Sequence, residues 1–401
     1  MSTVSNDFIK ILIDREYLYS LYQPIVSIVN NSIIGLEGLS RGYQPGKKAP
    51  ISPINLFKAA ERERLRIDLD RLCRKKVFIN YPNYNDTVLF VNIDTSILDF
   101  VQGSGNIINM IKDFNLDPKK IVLEINESKV SNNLCLENFV LSQREYGFLV
   151  ALDDVGKGHS NLDRIPLIKP DIIKVDREII RNIHQKIYKQ EVFKSLVDLS
   201  KRTGTLVVAE GVETASEILT CMELGADLFQ GFFFSKPTRE LEPKKIKNNL
   251  NKVTKSYKIS AKSRLKRKVQ GQSKNREVFE NTITCLENTC KEEFGQFLGK
   301  VISFDTSLQS LFILNENGVQ ITETICRDSF IVDSPIFKPA VKGTDHSLKE
   351  YFCSLIHMDK QRYTTESYVS LATGHRCKTI SGIFQNKIDS KMYILCIDFS
   401  T

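Results

Sequence analysis

Long apolar runs are missing from this 401-residue sequence. No stretch approaches the roughly 18 consecutive apolar residues that a membrane-spanning helix needs. The first residues, Met1 to Lys10, lack a basic segment followed by an apolar core. No secretory signal is therefore expected, and the cytoplasm is the expected compartment. Paired cysteines are missing too. The nine cysteines are scattered from Cys73 to Cys396 with no CxxC pair, which argues against a disulfide framework and a zinc site. The five histidines show no metal-ligand spacing either. What remains is an ordinary globular composition, 41% apolar and 26% charged, long enough for two or three domains.

The net charge of +8 is unevenly spread. Thirteen Lys and Arg and no Asp or Glu lie between Lys244 and Arg276, so the remainder is mildly acidic. This strip reads as a solvated helix face, with nucleic acid or an anionic membrane surface as the alternatives. Nucleic acid is not the expected partner, because its binders usually spread basic residues over a folded face.

Residues 1–240 alternate short apolar runs with helically spaced mixtures. The runs are Ser32-Ile-Ile-Gly-Leu, Val88-Leu-Phe-Val, Lys120-Ile-Val-Leu, Phe148-Leu-Val-Ala-Leu, Asp171-Ile-Ile-Lys-Val, Leu206-Val-Val-Ala and Asp227-Leu-Phe. About eight such βα units in this length predict an α/β fold, a (β/α)8 barrel of the TIM type. Residues 241–292 are predicted as a basic connecting helix starting near Pro243 and interrupted near Gly271. Residues 293–401 read as a smaller α+β domain of antiparallel strands, with Asn315-Glu-Asn-Gly as a turn.

The runs end in a series of polar residues: Glu37, Asn92, Glu124 with Glu127, Asp153-Asp154, Lys174 with Asp176, Glu210 with Glu213, and Gln230. In a barrel these strand ends converge on one mouth. Carboxylates gathered there repel one another unless cations sit among them, and hard oxygen ligands suit Mg²⁺ or Mn²⁺. Asp153-Asp154 has the form a two-metal phosphodiester site requires, one carboxylate bridging and its neighbour binding one ion. Lys174 adds a cation that orients a water or stabilises developing charge. Taken singly, each acid could be a helix N-cap, Lys174 a salt-bridging lysine and Asn92 a turn residue. The series as a whole argues for an active site.

These residues also carry a family resemblance. Gln23-Pro-Ile-Val, Glu37-Gly-Leu-Ser-Arg41, Leu89-Phe-Val-Asn-Ile, Leu123-Glu-Ile-Asn-Glu-Ser, Asp153-Asp-Val-Gly-Lys-Gly, Ile173-Lys-Val-Asp, Ala209-Glu-Gly-Val-Glu and Gln230-Gly-Phe-Phe-Phe-Ser-Lys-Pro237 resemble, in order, the motifs of EAL-type cyclic di-GMP phosphodiesterases. Glu-Gly-Leu replaces the eponymous Glu-Ala-Leu and leaves the carboxylate in place. The resemblance implies two-metal hydrolysis of cyclic di-GMP to linear pGpG. It implies Glu37, Asn92, Glu124 and Asp153 as ligands of one metal, and Asp153, Asp154 and Glu210 as ligands of the second. Lys174 would hold the attacking water with Asp176 and Glu213 in support, and Gln230 would complete the pocket. Gln23, Arg41, Glu213 and Pro237 would contact substrate, and Glu127 would anchor the loop after Asp154. Mg²⁺ or Mn²⁺ would be the cofactor, two per site, with Ca²⁺ an inhibitory or structural substitute.

One motif departs. The family loop usually reads Asp-Asp-Phe-Gly-Thr-Gly-Tyr-Ser; here Val155, Lys157 and His159 replace Phe, Thr and Tyr. A weakly active or inactive cyclic di-GMP receptor is thus the alternative to the enzyme. If the Lys157 side chain points inward, its charge weakens the second metal position; pointing outward, it matters little.

The barrel, long helix and final domain together resemble the YkuI-type arrangement, in which the last domain is PAS/Cache-like. That domain is expected to sense a small intracellular ligand or to serve dimerisation, and a homodimer is expected.

Overall fold

The structure is a computed structural model that describes residues 6–47, 49–82, 86–94, 106–126, 133–157, 162–358 and 360–400. It divides into two compact units, residues 1–261 and 262–401, with the boundary inside one continuous helix, Pro243–Leu286.

The first unit is a closed eight-stranded barrel with helices outside. Its strands are β1 (Leu18–Ser27), β2 (Ser32–Gly42), β3 (Val88–Ile93), β4 (Ile121–Asn126), β5 (Leu149–Val155), β6 (Ile172–Val175), β7 (Leu206–Ala209) and β8 (Leu228–Phe229). Strands β2 to β8 run parallel, rich in Val, Ile and Leu as strands buried on both faces require. β1 differs. It pairs antiparallel with both β2 and β8, so a hairpin replaces one βα unit. The seven apolar runs read from the sequence are β2 to β8. β1 escaped that pattern because Leu-Tyr-Ser-Leu-Tyr-Gln-Pro mixes polar and aromatic residues.

A layer of buried side chains fills the barrel: Ile25, Phe90, Val122, Ala151, Ile172, Val208 and Leu228, from seven strands. Gly35 of β2 lacks a side chain because the Phe90 ring lies where its Cβ would be. The alternate residues, such as Leu89, Leu123, Val150 and Val207, face outward and join a second cluster with helix residues including Phe139, Phe193 and Ile218. This division follows from the two-residue period of a strand.

The long helix starts at Pro243 and continues through Gly271, without the predicted interruption. Its first turns bury Ile246, Leu250 and Val253 in the barrel-side cluster, and its last turns bury Phe279 and Leu286 in the second unit. Tertiary packing at both ends thus offsets the roughly 1 kcal/mol that a mid-helix glycine costs.

The second unit is an antiparallel sheet in the order β10-β9-β14-β13-β11, with β12 also pairing β13. These are β9 (Leu308–Asn315), β10 (Ile325–Cys326), β11 (Arg362–Thr364), β12 (Tyr368–Val369), β13 (Arg376–Gln385) and β14 (Met392–Ser400). One face carries Leu311, Ile313, Leu395 and Ile397 packed with Phe294 and Leu298 of the helix Phe294–Phe304. The other carries Phe312, Ile394 and Cys396 packed with Tyr351 and Leu355 of the helix Glu350–Ile356. In that second face Asp398 is buried in register between Thr379 and Ser310. Its carboxylate accepts hydrogen bonds from Ser310 (2.7 Å), Thr379 (2.7 Å) and Ser370 (3.1 Å). None of the nine cysteines forms a disulfide. No helix among the described residues is long and apolar enough to cross a membrane.

Candidate active site

The site follows from the barrel's own periodicity. Two positions beyond each interior apolar residue, the next side chain on the same strand face is polar. Phe90 leads to Asn92, Val122 to Glu124, Ala151 to Asp153, Ile172 to Lys174, Val208 to Glu210 and Leu228 to Gln230. On β2 the step is from Gly35 to Glu37. β1 runs the other way, so its contribution, Gln23, precedes Ile25 and lies opposite Glu37 in the ladder. All eight strands therefore place one polar side chain at the C-terminal mouth of the parallel strands.

Lys174 is the centre of this ring, 1% exposed. Its Nζ lies 2.5 Å from Glu124, 2.7 Å from Glu210, and 3.3 Å from both Glu37 and Asp153. Burial disfavours the ammonium, yet Asp153, Glu124, Glu210 and Glu37 together hold its pKa well above the usual lysine range. Four carboxylates share one ammonium, so the excess negative charge has to be relieved elsewhere. Burial, with Asp153 and Glu37 nearby, pushes Glu210 up to about 8 against the pull of Lys174. Burial likewise raises Glu124 and Asp153. Glu37 goes the other way. Burial opposes its charge, but Lys174 and hydrogen bonds from Gln230 (2.5 Å) and Asn92 (3.2 Å) hold it below the usual carboxylate range. Asn92 also donates to Glu124 (2.8 Å).

Asp153 and Asp154 are consecutive, and a regular strand would point them to opposite faces. The β5–β6 register breaks between Leu152 and Val155, and Asp154 has φ 57°. This irregularity turns the second carboxylate toward the first. Oxygens of Asp153, Asp154 and Glu210 lie within 4.8 Å of one another, close enough to share a cation. Asp153 is also nine-tenths buried, and its Oδ1 lacks a hydrogen bond, lying 3.3 Å from the Lys174 ammonium. A hard divalent cation fits this all-oxygen donor set.

A cleft of about 270 Å³ opens over these groups, lined by Gln23, Glu37, Asp153, Asp154, Lys174, Asp176, Arg177, Glu210, Glu213, Gln230 and Phe232. Asp176 caps the helix Arg177–Ile180, accepting from the Glu178 amide, so the N-cap reading holds for this residue while it also lines the cleft. Glu213 pairs with Arg177 at 3.4 Å. Gln23 receives Gln230 Nε2 at 3.3 Å and donates to the Ser235 carbonyl. Arg41 and Pro237 are not brought to the cleft. Arg41 donates to the neighbouring Ser40 carbonyl, and Pro237 precedes Thr238, whose backbone pairs with Tyr22. Glu127 and His159 fall outside the described residues.

Two contributors were not singled out from the sequence. Asn126 Nδ2 donates to Asp154 Oδ2 at 2.8 Å, and Arg177 lines the cleft. Asn126 was within reach of the alternation argument, since it stands two positions beyond Glu124. Lys157, in the turn after β5, places Nζ 3.1 Å from both oxygens of Asp154.

A closed barrel with one antiparallel strand and a hard-ligand mouth is the framework of a family that sequence comparison identifies. Residues 8–237 match the EAL domain model, and the chain belongs to the EAL-domain family. Along nearly its whole length it is similar to YkuI of Bacillus subtilis, an uncharacterized EAL-domain containing protein. The two are 23% identical over 398 residues, 97% of this chain and 96% of YkuI. A crystal structure of YkuI with its substrate c-di-GMP and calcium superposes with a TM-score of 0.81 at 22% identity, covering 99% of both chains, a likeness of fold. The cyclic di-GMP phosphodiesterase PdeR of Escherichia coli is 27% identical over 230 residues, 56% of this chain and 34% of PdeR. BlrP1 of Klebsiella pneumoniae, in a manganese and c-di-GMP complex, matches 55% of this chain and 56% of its own at 28% identity and TM-score 0.51.

Proposed function

We propose that this chain hydrolyses cyclic di-GMP to linear pGpG at the barrel mouth, as a metal-dependent phosphodiesterase. The observation that carries this reading is the buried Lys174 ammonium ringed by carboxylates of four strands. Such concentrated negative charge suits divalent cations and the phosphate oxygens those cations attract. Glu37, Asn92, Glu124 and Asp153 would hold one Mg²⁺ or Mn²⁺, and Asp153, Asp154 and Glu210 the other; the ions would supply Lewis-acid charge at the phosphodiester. Gln230 and Asn92 pin the Glu37 carboxylate from two sides, fixing its orientation before substrate arrives. Lys174, buried and held by four carboxylates, orients the attacking water. The water oxygen bonds to phosphorus, the P–O3′ bond breaks, a proton from the water ends on the departing O3′, and the ring opens to a chain with a 5′-phosphate and a 3′-hydroxyl. Gln23 and Glu213 line the substrate cleft, and Arg41 and Pro237 would reach the dinucleotide beyond it. The family relatives named as cyclic di-GMP phosphodiesterases support the same substrate. The second unit is read as a PAS/Cache-like regulatory or dimerisation module.

One observation favours the receptor as a second reading: Lys157 occupies the Asp154 carboxylate. Incubation of the purified chain with cyclic di-GMP, followed by nucleotide chromatography, separates the two. Mg²⁺ or Mn²⁺ should yield pGpG, EDTA should abolish it, and Ca²⁺ should bind with little turnover. Undiminished hydrolysis in EDTA would refute the metal mechanism. Stoichiometric binding without pGpG at saturating Mn²⁺ would establish the receptor.

A further inference from the structure

Among the described residues, two ammonium groups pair with carboxylates of the acidic mouth, and they differ in freedom. Lys174 is 1% exposed and touches four carboxylates. Lys157 is 57% exposed and touches one, Asp154, with Nζ 3.1 Å from each oxygen. Among the described residues Nζ of Lys157 has no other ion pair. The turn that delivers it is tightly specified. Asp154 has φ 57° and Gly156 φ 94°, and the Lys157 amide closes on the Asp154 carbonyl at 3.2 Å. A Cβ on Gly156 would run into Ile179. The chain therefore doubles back and returns the third residue's side chain onto the carboxylate.

Asp154 is also one of the three residues whose oxygens could share a cation. Its Oδ2 already accepts from Asn126 at 2.8 Å, and both oxygens accept from Lys157. We infer that Lys157 is a tethered counter-ion that competes with a divalent cation for Asp154, and so sets the metal concentration at which the Asp153–Asp154–Glu210 position fills. This rests on the metal-dependent reading of the mouth. The other ligand set, Glu37, Asn92, Glu124 and Asp153, makes no ion pair with Lys157 among the described residues and shares only Asp153 with the position that Lys157 guards. The effect of residue 157 thus falls mainly on one of the two steps. The lysine is displaceable because its long stem can carry the ammonium to water. Its pair with Asp154 is of the half-exposed kind that contributes modestly, and a displaced ammonium still repels a dication across a few ångströms of solvent. Together these amount to a roughly three- to tenfold weakening of that step.

The test is isothermal titration of the full chain with Mn²⁺, without nucleotide, for wild type, Lys157→Gln and Lys157→Arg. Lys157→Gln keeps a polar side chain and removes the charge; Lys157→Arg keeps a charge. The inference expects Lys157→Gln to tighten one of two binding steps about three- to tenfold, Lys157→Arg to bind as wild type, and the difference to shrink at high salt. Identical Mn²⁺ binding by Lys157→Gln and wild type would overturn it while leaving the metal site standing. Equal tightening by Lys157→Arg would overturn it too, since charge would not be the cause. No Mn²⁺ binding by any of the three would remove the metal reading itself, and the inference with it.

Discussion

Replacing Lys174 by Met tests the electrostatic centre of the barrel. Methionine has similar volume and no charge, so the substitution leaves packing nearly intact and removes one ammonium from among four carboxylates at 2.5–3.3 Å. Removing one partner of a buried ion pair costs about 3–5 kcal/mol, because charge is left buried without compensation. At about 2–4 °C per kcal/mol for a domain of this size, the loss corresponds to a melting temperature about 6–20 °C lower. Protonation limits it. Glu210, pushed up to about 8, takes a proton in place of the ammonium when the pH is low enough. The deficit in EDTA should therefore be large near pH 8.5 and smaller near pH 6. Excess Mn²⁺ should recover most of it, since a dication would occupy the same negative pocket. Turnover should stay lost even when Mn²⁺ restores the fold, because the residue proposed to orient water is gone. The assay is thermal denaturation by circular dichroism at both pH values, with EDTA and with Mn²⁺. A Lys174→Met protein that melts in EDTA at pH 8.5 within 2 °C of wild type would refute the argument.

Glu37→Ala should lower pGpG formation about 100-fold or more while circular dichroism stays native, because a polar residue at the barrel mouth is not part of the apolar core; near-wild-type turnover would contradict its proposed assignment. In EDTA, the wild-type barrel should lose stability as the pH rises. Glu210 is raised in the folded state, so its contribution is fully present below about 4.5 and lost as the pH passes through about 8. A melting temperature that climbs from pH 6 to pH 9 in EDTA would oppose this. Asp398→Ala should destabilise the second unit by about 2–4 kcal/mol, since three buried hydroxyls lose their acceptor. Urea denaturation followed by tyrosine fluorescence checks it, and an unchanged midpoint would show that the network is dispensable.

Local rules made much of this protein legible in advance. Strand periodicity is a property of the backbone, so an apolar residue at one position and a polar one two further on could be read directly, as with Val122 and Glu124 or Ile172 and Lys174. The alternation of β-branched runs with helical spacing sufficed for a barrel, and the ordered motifs sufficed for the family. β1 was less legible because its outward face meets a helix through Tyr22, whose hydroxyl donates to the Val77 carbonyl, and not through an aliphatic run. Gly271 looked like a helix break because propensity is local, whereas the helix is held by packing near Leu250 and Phe279. Other features exist only in three dimensions. That Lys174 meets carboxylates from 36 positions downstream and 137 upstream depends on barrel closure. That Asp154 turns beside Asp153 depends on a left-handed residue at a register break, and that Lys157 folds back onto it depends on the turn that follows. Sequence fixes which groups are available and which face they share. Distances between groups on different strands, and hence their charge states and their capacity to hold a cation, are set by how the strands close on one another.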